Sequence, residues 1–296
     1  MKALADTAGG RWLAGALDNP VVGMSPWIIF SVLAGPGRFG LAVGLALAVS
    51  IVLVALGRIL HPGESLKILE VADVFVFAVL AIVGAFADEG THHWLELYAD
   101  EVANIALVVI ALGSMAVRMP FTLQYARERV DRAYWDTPTF KRVNYVITGV
   151  WAGAFLAAAV AGGYGDLVLH NPNNIWTEWI IQILAIIAAL SFTEWYPDYA
   201  RAKARGSEQI PSVNGLLVPL AGMLVPVGIA VLIFEDAATW LGIGLIVVGI
   251  LATKALSGNA DKGSGRRPRP GSRRGTMENG GGGGAPAPHR PHRRPQ

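Results

Sequence analysis

FGLAVGLALAVSIVLVALG, residues 39–57, runs 19 residues without a charge and stops at Arg58. Wound as a helix rising about 1.5 Å per residue, it matches a hydrocarbon core of about 30 Å. Its small residues, Gly40, Ala42, Gly44, Ala46 and Ala48, suit close approach of neighbouring helices in lipid. Working outward, uncharged runs recur at 20–36, 143–165, 210–234 and 237–253. Shorter runs interrupted by one polar residue lie at 71–87, 102–117 and 179–193. Together these eight runs predict an all-α polytopic integral membrane helix bundle of about eight transmembrane helices. Residues 20–36 are a short run, at 17 residues, and contain Gly23 and Pro26, so a half-helix or a hairpin with the next span is the alternative there.

Charge supports this reading. With eight spans, the segments between them alternate between basic and acidic, and Arg38 is the sole Lys or Arg on the acidic side out of 24. The positive-inside rule then predicts a plasma-membrane protein with both termini cytoplasmic. Residues 88–101, DEGTHHWLELYADE, and the 166–178 loop contain no Lys or Arg. The domain organisation that follows is a cytoplasmic N-terminal segment 1–19, a transmembrane domain 20–257 and a tail 258–296. The tail holds nine Lys or Arg against Asp261 and Glu278, with GGGGG and HRPHRR, and is expected to be disordered and solvated. The 118–142 segment is too polar to span. It reads as an amphipathic cytoplasmic connector starting at Pro120, with Arg127, Glu128, Arg129 and Asp131 towards water.

Composition excludes several kinds of function. A chain of 296 residues that is 53% hydrophobic and 16% charged is too apolar for an ordinary soluble domain. No cysteine is present, so thiolate metal sites, disulfides and a thiol nucleophile are out. The N-terminal 19 residues have Asp6, Asp18 and Gly9–Gly10 where a signal peptide needs an apolar stretch. There is no GxSxG elbow, Walker A loop or strand-borne GxGxxG, and Gly162–Gly165 reads as the end of a membrane helix. The expectation is a non-enzymatic protein with no cofactor and no specific nucleic-acid partner.

The candidate functional positions are polar residues in or near spans. Asp73 is an intramembrane carboxylate one turn from Glu70, and such groups are costly and usually point inward. Its nearness to a helix start leaves a hydrated, interfacial role open beside a proton relay. Asn104, Asn144 and Glu194 are the other polar candidates, with helix–helix hydrogen bonding the plainer role. Arg127, Arg129, Arg132 and Trp135 are the candidates for contact with anionic lipid headgroups. Glu89, His92, His93, Glu96 and Asp100 are spaced so that i,i+4 pairs could meet one metal ion, though without the HExxH order. A solvated loop helix is the plainer reading of that stretch.

The layout of residues 25–192 resembles the intracellular septation protein A family of bacterial inner-membrane proteins. The points of likeness are SPWIIF, the small-residue span that follows it, Glu70–Asp73 opening the next span, and WDTPTFKRVNYVITGVWAGAF with Trp135, Arg142, Asn144, Trp151 and Phe155. The resemblance implies a structural or scaffold-like role in envelope maintenance or division, with envelope or division proteins as partners. The competing expectation is a small-solute or proton-coupled transporter using Asp73.

Overall fold

The computed structural model describes residues 8–60, 66–171, 174–207, 209–234 and 239–263. All of its regular structure is helical: α1 (Ala8–Leu17), α2 (Pro20–Gly23), α3 (Ser25–Leu33), α4 (Phe39–Leu60), α5 (Ile68–Phe86), α6 (Glu89–Leu97), α7 (Ala99–Ala116), α8 (Phe121–Arg129), α9 (Pro138–Leu167), α10 (Ile181–Ala204), α11 (Asn214–Phe234) and α12 (Thr239–Gly263). A 3-10 turn, Arg132–Tyr134, precedes α9, and a π-helical turn, Trp176–Ile180, leads directly into α10. Among the described residues, seven helices are long and apolar enough to cross a membrane: α4, α5, α7, α9, the continuous Trp176–Ala204, α11 and α12. The chain is a multi-pass helical membrane protein. Its exposed apolar residues, Phe75, Ile82, Phe86, Val109, Val160 and Ile233 among them, form the surface that lipid would cover.

The helix α9 is the centre of the bundle, with half of its apolar window buried against 11% for α12. It packs on α7 and α10, while α4 joins α3 to α5 and α5 meets α8. The α11–α12 hairpin is held by close backbone approach. A Cβ at Gly228 would lie 2.6 Å from the Gly242 carbonyl oxygen, and one at Gly242 would lie 2.9 Å from the Gly228 oxygen. Only residues without a side chain allow helices this near one another.

The run 20–36 is the one expected span that does not form a single long helix. Pro26 lacks an N–H and its ring excludes an ordinary bond to the Val22 carbonyl, so the helix breaks at Met24. Ser25 Oγ donates to that carbonyl oxygen at 2.7 Å and satisfies it. The broken segment still travels from one end of the bundle to the other. At its start, Lys67 Nζ donates to the Leu17 carbonyl oxygen at 2.7 Å, beside Leu53 and Leu60. At its end, Gly37 N–H donates to Glu96 Oε1 at 2.8 Å, and Phe39 meets His92 edge-on. Gly37 has φ +71°, a conformation that favours glycine, which lets α3 turn into α4. Seven long helices and one broken pair thus connect a basic end, carrying Arg58, Lys67 and 118–142, with an acidic end, carrying 88–101 and 166–178.

The connector departs from expectation. The helix α8 does begin after Pro120, but Phe121, Thr122, Leu123, Gln124 and Tyr125 are all buried, which leaves no water-facing side over that stretch. Polar complementarity drives it inward. Gln124 Oε1 accepts from Ile68 N–H at 2.6 Å and its Nε2 donates to the Leu66 carbonyl oxygen at 3.0 Å, capping α5 from a distance. Thr122 Oγ1 donates to the Asn144 carbonyl oxygen at 3.0 Å. Beyond Gly263 the tail lies outside the described residues; its first six positions, 258–263, continue α12.

Candidate functional site

Lys67, Glu70 and Asp73 recur every three residues, so the first turns of α5 present them on one face. That face is turned into the bundle. All three are buried, and Asp73 is 0% exposed. Beyond its bond to Leu17, Lys67 Nζ lies 3.0 Å from Glu128, 3.8 Å from Glu70 and 4.0 Å from Asp18, and 4.6 Å over the Tyr125 ring. One ammonium thus ties the end of α1, the start of α5 and the end of α8. Trp27 Nε1 donates to Asp73 Oδ1 at 2.7 Å, whereas Asp73 Oδ2 has no hydrogen-bond partner. The Tyr125 hydroxyl is also buried without a partner, pressed against the break between α2 and α3. A Cβ at Gly23 would lie 2.2 Å from it, so this position excludes any larger residue unless the tyrosine moves.

Ionisation at this basic end follows from burial. Desolvation, then a hydrogen bond with Asp18, push the Glu128 carboxyl up to about 8 against the opposing pull of Lys67. Burial raises the Tyr125 phenol well above its usual value, and the charges of Glu70, Asp73 and Glu128 add to the rise. The cluster as a whole holds more carboxylates than its one lysine neutralises.

The acidic end holds a second cluster. Asp100 and Glu101 come from the first turn of α7, Asp166 from the end of α9 and Glu178 from the π turn before α10. Asp100 interacts electrostatically with Asp166, and Glu101 with Asp100, Asp166 and Glu178. No Lys or Arg among the described residues forms an ion pair with any of the four. Glu101 is 8% exposed, and its Oε1 has no hydrogen-bond partner. Glycines make the room: a Cβ at Gly162 would lie 2.0 Å from Glu101 Oε1, and one at Gly165 would lie 2.3 Å from Thr177 Oγ1 and 2.7 Å from Glu178 Oε1. Gly162 and Gly165 lie in the last turns of α9, which ends at Leu167, and serve close packing against carboxylates.

The sequence-predicted residues scatter across this frame. Asp73 lies within the first two turns of α5 and is fully enclosed there, not open to water. Asn104 Nδ2 donates to Gln182 Oε1 at 3.3 Å, joining α7 to α10 beside the acidic cluster. Asn144 Nδ2 donates to Phe140 O at 2.9 Å on its own helix, so its side chain is occupied locally. Glu194 is exposed on α10, outside both clusters. Arg127 and Arg132 gather over the Trp135 ring at 5.2 and 5.7 Å, and Trp135 Nε1 donates to Val130 O; Arg129 is exposed apart from them. Glu128, expected to face water with Arg127 and Arg129, faces Lys67 instead.

The His-containing stretch forms α6, capped by Asp88, whose carboxylate accepts from Thr91 N–H at 2.7 Å; that bond holds its pKa below the usual value. His93 is exposed and His92 rests on Phe39. Among the described residues no three His, Cys, Asp or Glu side chains are arranged to hold a metal ion.

Sequence reasoning did not single out Trp27 as the partner of Asp73, Lys67, Tyr125 and Glu128 as a neighbouring cluster, or Glu101, Asp166 and Glu178 as a group. The i,i+3 spacing of Lys67 and Glu70 was a usable signal for the first set; the second had only its base-free loops. No protein-family model, curated protein or solved structure matches this chain.

Proposed function

We propose that this chain is a multi-pass protein of a bacterial-type plasma membrane that moves protons, with Asp73 as the group that takes up and releases them. The observation that carries the reading is Asp73 itself: a wholly buried carboxylate in a candidate span, one oxygen held by Trp27 and the other without a partner. Such a group is costly to keep unless it is used. It also stands beside the break in a discontinuous crossing, the arrangement that membrane transporters use to build sites at depth. A proton needs no solute-sized cavity, which suits a site packed by Trp27 and Phe77.

In this proposal the basic end faces the cytoplasm by the positive-inside rule. Eight crossings, counting the broken one, return both termini to that side. Arg127, Arg129 and Arg132 then lie where anionic headgroups add about 1 kcal/mol each. The second reading is the structural role in envelope maintenance or division that the family resemblance implied. It is favoured by the Lys67 hub, which ties three segments of chain whether or not anything moves. Proton flux separates the two. Protein reconstituted in liposomes with a trapped pH-sensitive dye is expected to pass protons under an imposed potential, and Asp73→Asn to stop it while inserting normally. Wild-type protein that passes none supports the structural role.

A further inference from the structure

The two carboxylate clusters are joined by one face of α3. Trp27 donates to Asp73, and Ser31, four residues on, lies beside Asp100. Four residues place the two side chains on the same face, about 6 Å apart along the axis. Phe77 packs against Trp27 at 4.7 Å and against Phe30 at 5.5 Å, and both phenylalanines are completely buried. Trp27, Phe30 and Phe77 thus form an aromatic layer beside Asp73, on the stretch of α3 that also carries Ser31.

Among the described residues no Lys or Arg pairs with the carboxylates on the acidic side. The groups that face Glu101 and Asp100 are Ser31 from α3, Asp166 from α9, and Thr177, Glu178 and Gln182 from the π turn and α10, with Asn104 on α7 itself. None of these is cationic. Gathering four buried or half-buried carboxylates without a base is unfavourable unless a cation joins them from outside the chain. The side chains do not converge as metal ligands do, whereas a proton bridges two carboxylates without a coordination shell. Glu101 Oε1, enclosed and without a partner, points at Gly162, one turn before Asp166 on α9.

We infer that Asp100, Glu101, Asp166 and Glu178 form a second proton-binding site, separated from Asp73 by the Trp27–Phe30–Phe77 layer and linked to it through α3. The inference rests on the proton-moving role of Asp73 and adds where protons enter or leave on the acidic side. That layer then sets the conductance, because protons cross only when water or a side-chain movement bridges about one helical turn.

The test uses the full chain in liposomes with a potassium-driven potential and a trapped pH dye, together with infrared spectra of the same preparations. Glu101→Gln is expected to cut proton flux at least tenfold and to remove part of the protonated-carboxyl band that titrates with pH. Glu178→Gln, on a different helix, is expected to do the same more weakly and guards against a folding defect in the first variant. Phe77→Ala is expected to raise flux several-fold. If Glu101→Gln and Glu178→Gln both keep wild-type flux and the full infrared band while Asp73→Asn abolishes flux, the second site is wrong and the Asp73 reading stands. If Asp73→Asn also leaves flux unchanged, both are wrong.

Discussion

The basic and acidic ends of this bundle each gather four carboxylates, and they neutralise them differently. At the basic end Asp18, Glu70 and Glu128 surround Lys67, which bonds or approaches partners from three segments of chain, with Asp73 one turn further along α5. At the acidic end Asp100, Glu101, Asp166 and Glu178 have no basic partner among the described residues. The contrast separates two uses of buried charge. Where the chain supplies its own cation, the cluster fastens helices together. Where it supplies none, the cluster is left with capacity for a cation from the medium. Asp73 is the member of the first group that escapes Lys67, being held by Trp27 instead.

The comparison breaks most visibly if the lysine is removed. Lys67→Met leaves three carboxylates and the Leu17 carbonyl without their common donor, and is expected to destabilise the protein by about 3–5 kcal/mol, read as a lower melting temperature in detergent. Lys67→Arg should recover part of that loss. No single substitution at the acidic end is expected to cost as much.

Next in size is packing at the acidic end. Gly162→Leu drives a side chain into the space of Glu101, 2.0 Å from the new Cβ, with an expected cost of about 1–3 kcal/mol. The same change combined with Glu101→Ala should cost less than the two separately, since the carboxylate is what the leucine meets.

The pH dependence sharpens the basic side. The folded-state pKa of Glu128 is raised above its unfolded value, so the folded protein holds the extra proton between the ordinary carboxylate range and about pH 8. Stability from this group is therefore greatest at low pH and falls as pH rises towards about 8. Thermal melts from pH 5 to 9 should show that fall (roughly the window set by the usual and the raised value), and Glu128→Gln should flatten it. The smallest expected effect is Asn104→Leu, about 0.6 kcal/mol for the lost Gln182 hydrogen bond, measurable in a double-mutant cycle with Gln182→Leu.

Much of the fold was legible because hydrocarbon imposes a length and an apolar composition on every crossing. Residues 39–57 and 143–165 could hardly be anything else. The break within residues 20–36 was signalled by Pro26, but their path from Leu17 to Gly37 was not, since that depends on contacts with Lys67 and Glu96 far along the chain. The burial of α8 was hidden for a related reason. Gln124 and Thr122 look like surface residues until their partners, the start of α5 and the Asn144 carbonyl, are brought beside them. Asp73 stood out as a charge in an apolar run, whereas Glu101, Asp166 and Glu178 each sit near a helix end, where acids are ordinary. Their meeting is a tertiary fact, made by Gly162 and Gly165, which read in sequence as a helix terminus.

Proton flux through Asp73 tests the central claim most directly. Purified protein in liposomes, driven by a potassium potential and read by an internal pH dye, is predicted to pass protons, and Asp73→Asn to reduce the rate to that of empty liposomes while its melting temperature changes little. Equal flux from wild type and Asp73→Asn would contradict the account.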